Sequence, residues 1–165
     1  MPGGYRLRYL GESLGVRVIL DPAPARQLPR SLLSAVDIVI PNEHEISVLT
    51  GRKVTDIDSA QSAASELLTQ GVGCAIIKLG ERGAVLAQGG SSLHIPAFQV
   101  RAVDTTAAGD AFAGGLAAAI MERKTIGEAC VFASAVAALS VEKPGAETSM
   151  PTRADVDEFL RARSQ

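Results

Sequence analysis

At 165 residues, with 47% hydrophobic and 21% charged side chains, the chain is long enough for one domain with a real core and ordinary in composition for a soluble globular protein. A net charge of −2 and a pI of about 5.7 supply no long-range field to hold a polyanion, and 4% aromatics with no Trp supply no base-stacking platform, which argues against nucleic-acid binding. No apolar stretch reaches the roughly 20 residues of a membrane span, and Met1-Pro2-Gly3-Gly4-Tyr5-Arg6 lacks the basic-then-apolar order of a signal peptide, so a cytoplasmic protein with no membrane partner is expected.

In chain order, residues 5–14 read as the end of a helix. Val16 to Leu20 is a short β-branched run that Asp21-Pro22 stops. Pro22, Pro24 and Pro29 mark an extended loop, and Ser31 to Ser34 a brief helical turn. Asp37 to Ile40 is the next strand, closed by Pro41-Asn42. A short helix over His44–Leu49 ends at Gly51. The spacing of Ala60, Ala63, Ala64, Leu67 and Leu68 predicts a helix from Asp58 to Gln70, with Asp58 or Ser59 as N-cap and Gly71 as C-cap. Ala75 to Leu79 is a third strand. Ala84–Ala87 and Leu93–Pro96 read as an antiparallel pair around Gln88-Gly89-Gly90. Helices are predicted over 110–123, over 126–142, and from Thr152 to the C-terminus. Strands alternating with helices argue for one α/β domain over residues 1–165 with a mostly parallel sheet, and uninterrupted apolar strands argue for burial on both faces. Cys74 and Cys130 sit in apolar runs with no metal-type partner at short spacing and read as small buried residues in a reducing compartment.

The segment from Val103 to Gly115 carries the chemistry. A strand end runs through Asp104-Thr105-Thr106-Ala107-Ala108-Gly109 into a helix that begins with Asp110. Tiny side chains let main-chain N–H groups approach an anion. The helix points its positive end at the same spot. Phosphoryl transfer asks for this combination: fixed dipoles for charge building on the transferred group, and a carboxylate to accept the attacking hydroxyl's proton. Taken alone, a Gly-Asp pair before a helix reads as an ordinary N-cap, and it is the whole segment with its neighbours that points to chemistry. Asn42 and Glu45 have the same two readings, a capping pair or a polar ligand site where a buried strand ends. Lys78, at a strand end, reaches either phosphate or solvent. Asp104 either caps a turn or holds a cation.

Several segments together resemble the PfkB, or ribokinase-like, carbohydrate kinases. Asp104-Thr105-Thr106-Ala107-Ala108-Gly109-Asp110-Ala111-Phe112 is similar to the family's C-terminal signature, with Ala107 where many members have Gly. Asp21-Pro22-Ala23-Pro24-Ala25 resembles a further segment of the family, and Pro41-Asn42-Glu43-His44-Glu45 its N-x-x-E motif. Lys78-Leu79-Gly80-Glu81-Arg82-Gly83 resembles its strand-turn along the nucleotide, and Lys143-Pro144-Gly145-Ala146 with Ser149 its loop near the adenine and a monovalent cation. The resemblance runs from about residue 12 to the C-terminus.

It implies a three-layer α/β/α fold and ATP-dependent phosphorylation of a sugar hydroxyl, ribose being the first expectation, with a nucleoside as the alternative acceptor. Asp110 would be the base, and the N–H groups of Ala107, Ala108, Gly109 and Asp110 the anion hole. Asn42 would contact ATP, Glu45 would order water around Mg²⁺, and Lys78, Leu79, Gly80, Glu81, Arg82, Gly83 and Ser134 would border the nucleotide. K⁺ would be held by Asp104 with carbonyls or hydroxyls at Thr106, Ser140, Lys143, Gly145 and Ser149. The resemblance covers the C-terminal half of the family's chain, without the sugar motif and lid of the N-terminal half. Three outcomes are therefore open: a piece of a longer kinase, a second chain that supplies the remainder, or an ATP- or ADP-binding module without catalysis. An unpaired sheet edge would also favour a homodimer.

Overall fold

The computed structural model describes residue 11 and residues 13–163. Most of the helix expected over 5–14, with Arg6 and Arg8, lies outside the described residues; Gly11, Ser13 and Leu14 are helical. Two compact units make up the chain, Met1–Leu79 with Ala84–His94, and Gly80–Gly83 with Ile95–Gln165.

A five-stranded sheet in the order β1-β2-β3-β4-β5 organises the first unit. Strands β1 (Ile19–Leu20), β2 (Ile38–Val39) and β3 (Cys74–Lys78) run parallel, and β3 pairs antiparallel with β4 (Ala84–Gln88). β5 (Ser91–Ile95) follows β4 through Gly89-Gly90, whose φ values of 60° and 84° meet the demand of a two-residue hairpin turn for two left-handed residues. The first strand is shorter than the apolar run predicts. Val18 sits just outside the ladder because its N–H donates to Asp37 Oδ2 at 2.7 Å, while its carbonyl accepts from both Asp37 and Ile38.

Three further helices lie among the described residues of this unit: α1 (Arg30–Leu33), α2 (Glu43–Thr50) and α3 (Ile57–Thr69). Val39, Ile46, Ala60, Ala64, Leu67, Ile77 and Val85 form the centre of its core. Ile76 and Ile77 point to opposite faces of β3, and both are fully buried, as the unbroken apolar run demands. α2 stops at Gly51 in the left-handed region, as expected. The start of α3 differs from the sequence reading. The N-cap is Asp56, whose carboxylate accepts the Ser59 N–H at 2.8 Å, while Ser59 Oγ accepts the Asp56 N–H at 3.1 Å. Ser59 is thus the reciprocal partner of the cap, and Asp58 is simply an acid in the first turn. At the other end Gln70 caps in the right-handed region and Gly71, at φ 102°, comes after it. Asp56→Ala should cost about 1 kcal/mol, read as a lower denaturant midpoint at unchanged slope.

In the second unit α4 (Ala108–Met121) packs on α5 (Ile126–Ser140), and α6 (Arg153–Arg163) packs on α5. Gly115 permits the first contact: a Cβ there would lie 2.9 Å from Val136 Cγ2 and 3.1 Å from Ala133 Cα. α6 is fixed by an edge-on contact of Phe159 with Phe98, centroids 5.2 Å apart, and by Arg153, whose guanidinium lies 5.0 Å from the Phe132 ring and pairs with Asp157 and Glu122. Arg163 stacks over Phe159 at 3.6 Å, so this arginine does more than face solvent. Cys74 and Cys130 are buried and free of disulfide bonds, and burial pushes the Cys74 thiol up to about 11 against the opposing pull of Arg17. Among the described residues no helix is long and apolar enough to cross a membrane.

Candidate active site

The second unit holds the loop-to-helix junction. α4 begins at Ala108, two residues before the predicted start, so Asp110 is the third helical residue rather than the first. The earlier start follows from two main-chain bonds. Ala108 N–H donates to the Thr105 carbonyl at 3.2 Å, and Ala111 N–H to the Ala107 carbonyl at 2.9 Å. Ala107 is the N-cap residue, at φ −102° and ψ 8°, and no side chain caps the helix. In contrast, α2, α3 and α5 each open with a reciprocal box, on Asn42, Asp56 and Thr125. The N–H groups of a helix's first turn have no partner inside the helix. Of the four amides in the expected anion hole, that of Ala108 is engaged by the turn. Asp110 is exposed on this first turn.

Asp104 ties the approach to this junction. Its Oδ1 accepts the Thr106 hydroxyl at 2.6 Å and the Thr106 N–H at 3.0 Å. Its Oδ2 accepts the Gly145 N–H at 3.0 Å, across 41 residues of sequence. The Thr106 hydroxyl, then the Thr106 and Gly145 amides, hold the carboxyl down from its ordinary 3.8 to about 2. A depressed carboxylate pKa stabilises the fold above the ordinary value, and that contribution is lost as pH falls through the folded value. The Gly145 amide resonance should therefore titrate with a midpoint near the folded value of about 2. A midpoint at the free-carboxylate value would show that the three bonds do not form.

The other expected cation ligands surround the same loop. Gly145 adopts φ 91°. Ser140 and Ser149 are buried, with hydroxyls donating to the Ala137 and Ala146 carbonyls, each at 2.8 Å. Lys143 is exposed, and its N–H donates to the Ser140 carbonyl at 3.4 Å. Ser134 is buried within α5 and donates to the Cys130 carbonyl at 2.9 Å, so its hydroxyl is turned onto its own helix. Gly80–Arg82 forms a single 3₁₀ turn that Gly83 closes at φ 89°, with Glu81 exposed and Arg82 half-buried.

A second polar cluster lies at the C-terminal ends of the parallel strands in the first unit. Asn42 and Glu45 form a capping box: Glu45 N–H donates to Asn42 Oδ1 at 2.9 Å, and Asn42 N–H to Glu45 Oε2 at 2.7 Å. The capping reading therefore describes their local bonding, and it leaves the Asn42 side chain exposed and the Glu45 carboxylate buried. Lys78 pairs in register with Asn42, donates its N–H to the Pro41 carbonyl at 2.8 Å, and places its ammonium 2.7 Å from Asp21 Oδ2. Leu79 next to it is buried. Sequence reasoning treated Asp21 as a strand stop and missed this pair. The available signal was that Asp21, Asn42 and Lys78 each end one of three consecutive parallel strands, on one edge of the sheet.

Comparison with known proteins identifies the family of the chain. The pfkB family carbohydrate kinase model matches residues 4–153. A ribokinase of Haemophilus influenzae is 48% identical over 146 residues, which cover 88% of this chain and 48% of the relative. A deoxyribokinase of Salmonella typhi is 37% identical, covering 94% of this chain and 51% of the relative. The structure of Arabidopsis thaliana ribokinase complexed with ribose and ATP superposes with a TM-score of 0.88 at 34% identity, over 96% of this chain and 52% of that one. The chain thus spans about half the length of the relatives it matches, and over that span it belongs to the pfkB family of carbohydrate kinases.

Proposed function

We propose that the chain provides the nucleotide-binding and catalytic part of an ATP-dependent sugar kinase, with Asp110 as the general base. One observation carries this reading: an exposed carboxylate stands on the first turn of the one helix, among α2, α3, α4 and α5, that opens without a side-chain cap, in a chain of the pfkB family. In the proposed reaction the sugar hydroxyl oxygen attacks the γ-phosphorus of ATP, its proton passes to Asp110, and the bond to the bridging oxygen of ADP breaks. In this reading the N–H groups of Ala107, Gly109 and Asp110 face the charge that builds on the transferred phosphoryl group, while that of Ala108 holds the turn. The acceptor is the primary hydroxyl of a pentose, with ribose to ribose 5-phosphate as the first choice. A cytoplasmic setting, with ATP at hand, suits this reading.

The residues present fit both expected cations. Glu45 offers a buried carboxylate whose direction is fixed by the Asn42 N–H, a hard oxygen donor suited to Mg²⁺ held through water. When bound with ATP, Mg²⁺ neutralises charge on the phosphate oxygens. The Asp104 carboxylate, held to the Gly145 loop through the Gly145 N–H, offers a hard oxygen donor that suits K⁺. Asn42, residues 78–83 and Ser134 border the nucleotide in this reading.

A second reading is a binding module: the chain would hold ATP or ADP without transferring phosphate. Calorimetry with ATP beside an ADP-release assay over a panel of pentoses, hexoses and nucleosides tests both. Sugar-dependent release establishes the kinase and its acceptor. Binding without release establishes the module, and no binding removes both.

A further inference from the structure

We infer that Asp21 is a positioning residue that acts through Lys78, holding its ammonium over the C-terminal ends of the parallel strands to meet the phosphate tail of a nucleotide. The inference rests on the nucleotide reading above and assigns a task to the Asp21-Pro22 segment.

Asp21 follows directly on β1, and Lys78 is the last residue of β3. The two strands are not neighbours, because β2 runs between them. Two strand spacings amount to roughly 10 Å, yet Lys78 Nζ and Asp21 Oδ2 are 2.7 Å apart. The ion pair therefore bridges across the end of β2, beside Asn42, which is paired in register with Lys78. The side chains are largely removed from water, at 14% exposure for Lys78 and 27% for Asp21. An extended lysine elsewhere on the surface samples many rotamers and loses side-chain entropy when a ligand fixes it. Here the carboxylate has already selected one.

The pair is asymmetric. Asp21 Oδ1 is buried and has no hydrogen-bond partner among the described residues, so the carboxylate is compensated through Oδ2 and Lys78. An ammonium carries three N–H bonds, and Asp21 takes one of them. Lys78 is thus anchored by one bond and retains donors for an anion. Asp21 lies behind it as a counter-charge, which lowers the cost of keeping an ammonium in a desolvated place before the ligand arrives. The edge of the sheet where this happens is the edge at which α/β sheets take ligands.

The test is a double-mutant cycle on ATP affinity by calorimetry, with adenosine as a probe that lacks the phosphate tail. Asp21→Asn keeps the shape and removes the charge. Lys78→Gln removes the ammonium but keeps an N–H donor for Asp21, which spares folding. Each single variant should weaken ATP about tenfold, the size of one charge-assisted hydrogen bond. The double variant should be no weaker than Lys78→Gln alone, and adenosine affinity should stay the same throughout. Lys78→Arg should recover part of the ATP affinity. Equal losses from Asp21→Asn with and without Lys78 would overturn the inference, as would a parallel loss for adenosine. Failure of the unaltered chain to bind ATP would instead overturn the nucleotide reading beneath it, and the two failures are told apart by that first titration.

Discussion

Asp110→Asn is expected to lower sugar-dependent ADP release by about 10²–10⁴-fold. The substitution keeps the side chain's size and removes its ability to take a proton, so the attacking hydroxyl loses its base. The fold should be untouched, because Asp110 is exposed and no side-chain cap of α4 depends on it. ATP affinity should hold or rise slightly, because a carboxylate near a polyphosphate repels it. The measurement is a coupled ADP-release assay beside ATP calorimetry on the same preparation. Turnover within a few-fold of the unaltered protein would take the base away from Asp110. A parallel collapse of ATP affinity would point to a binding role instead.

The largest effect on stability is expected from Gly83→Ala, about 3–5 kcal/mol. Gly83 has φ 89°, in the region that L side chains avoid. A Cβ there would overlap the Ile95 carbonyl oxygen and would lie 2.6 Å from Ala97 N and 2.8 Å from Pro96 C. These are main-chain atoms, which cannot swing aside as the tip of a side chain can. Gly80→Ala is the natural control. Gly80 is also left-handed, at φ 58°, but a Cβ there meets nothing within 4 Å, so its cost should be confined to the backbone term, about 1–2 kcal/mol. Urea titrations of the two variants separate the contributions. Equal midpoints would show that the approach of residues 95–97 to the turn carries no weight.

Strand positions were largely legible because β2, β3 and β4 are unbroken apolar runs, and the hairpin was legible from Gly89-Gly90. Helix starts were read less well, for a local reason. Asp56, Asp58 and Ser59 are all acceptable caps, and only the reciprocal bond from Asp56 to Ser59 decides among them. At α4 the difficulty was the reverse. Residues 107–109 carry no capping side chain, so no local signal places the start ahead of Asp110. The proposed catalytic segment could be seen because it is contiguous. The two long-range ties could not. Asp21 meets Lys78 across 57 residues and Asp104 meets Gly145 across 41, and both depend on chain register and loop closure that no local pattern encodes.

The bare start of α4 has a consequence for anyone wishing to make this protein more heat-resistant. Design rules for tougher proteins single out a helix that lacks a Ser, Thr or Asp at its head, and Ala107 is the obvious place to add one. Such a hydroxyl or carboxylate would fold back onto amides that, in the proposed reaction, are reserved for phosphate. The gain in melting temperature would then be drawn from the same groups that give the protein its work, so robustness is better sought at the far end of the helix, where exposed Met121 precedes Glu122 and left-handed Arg123.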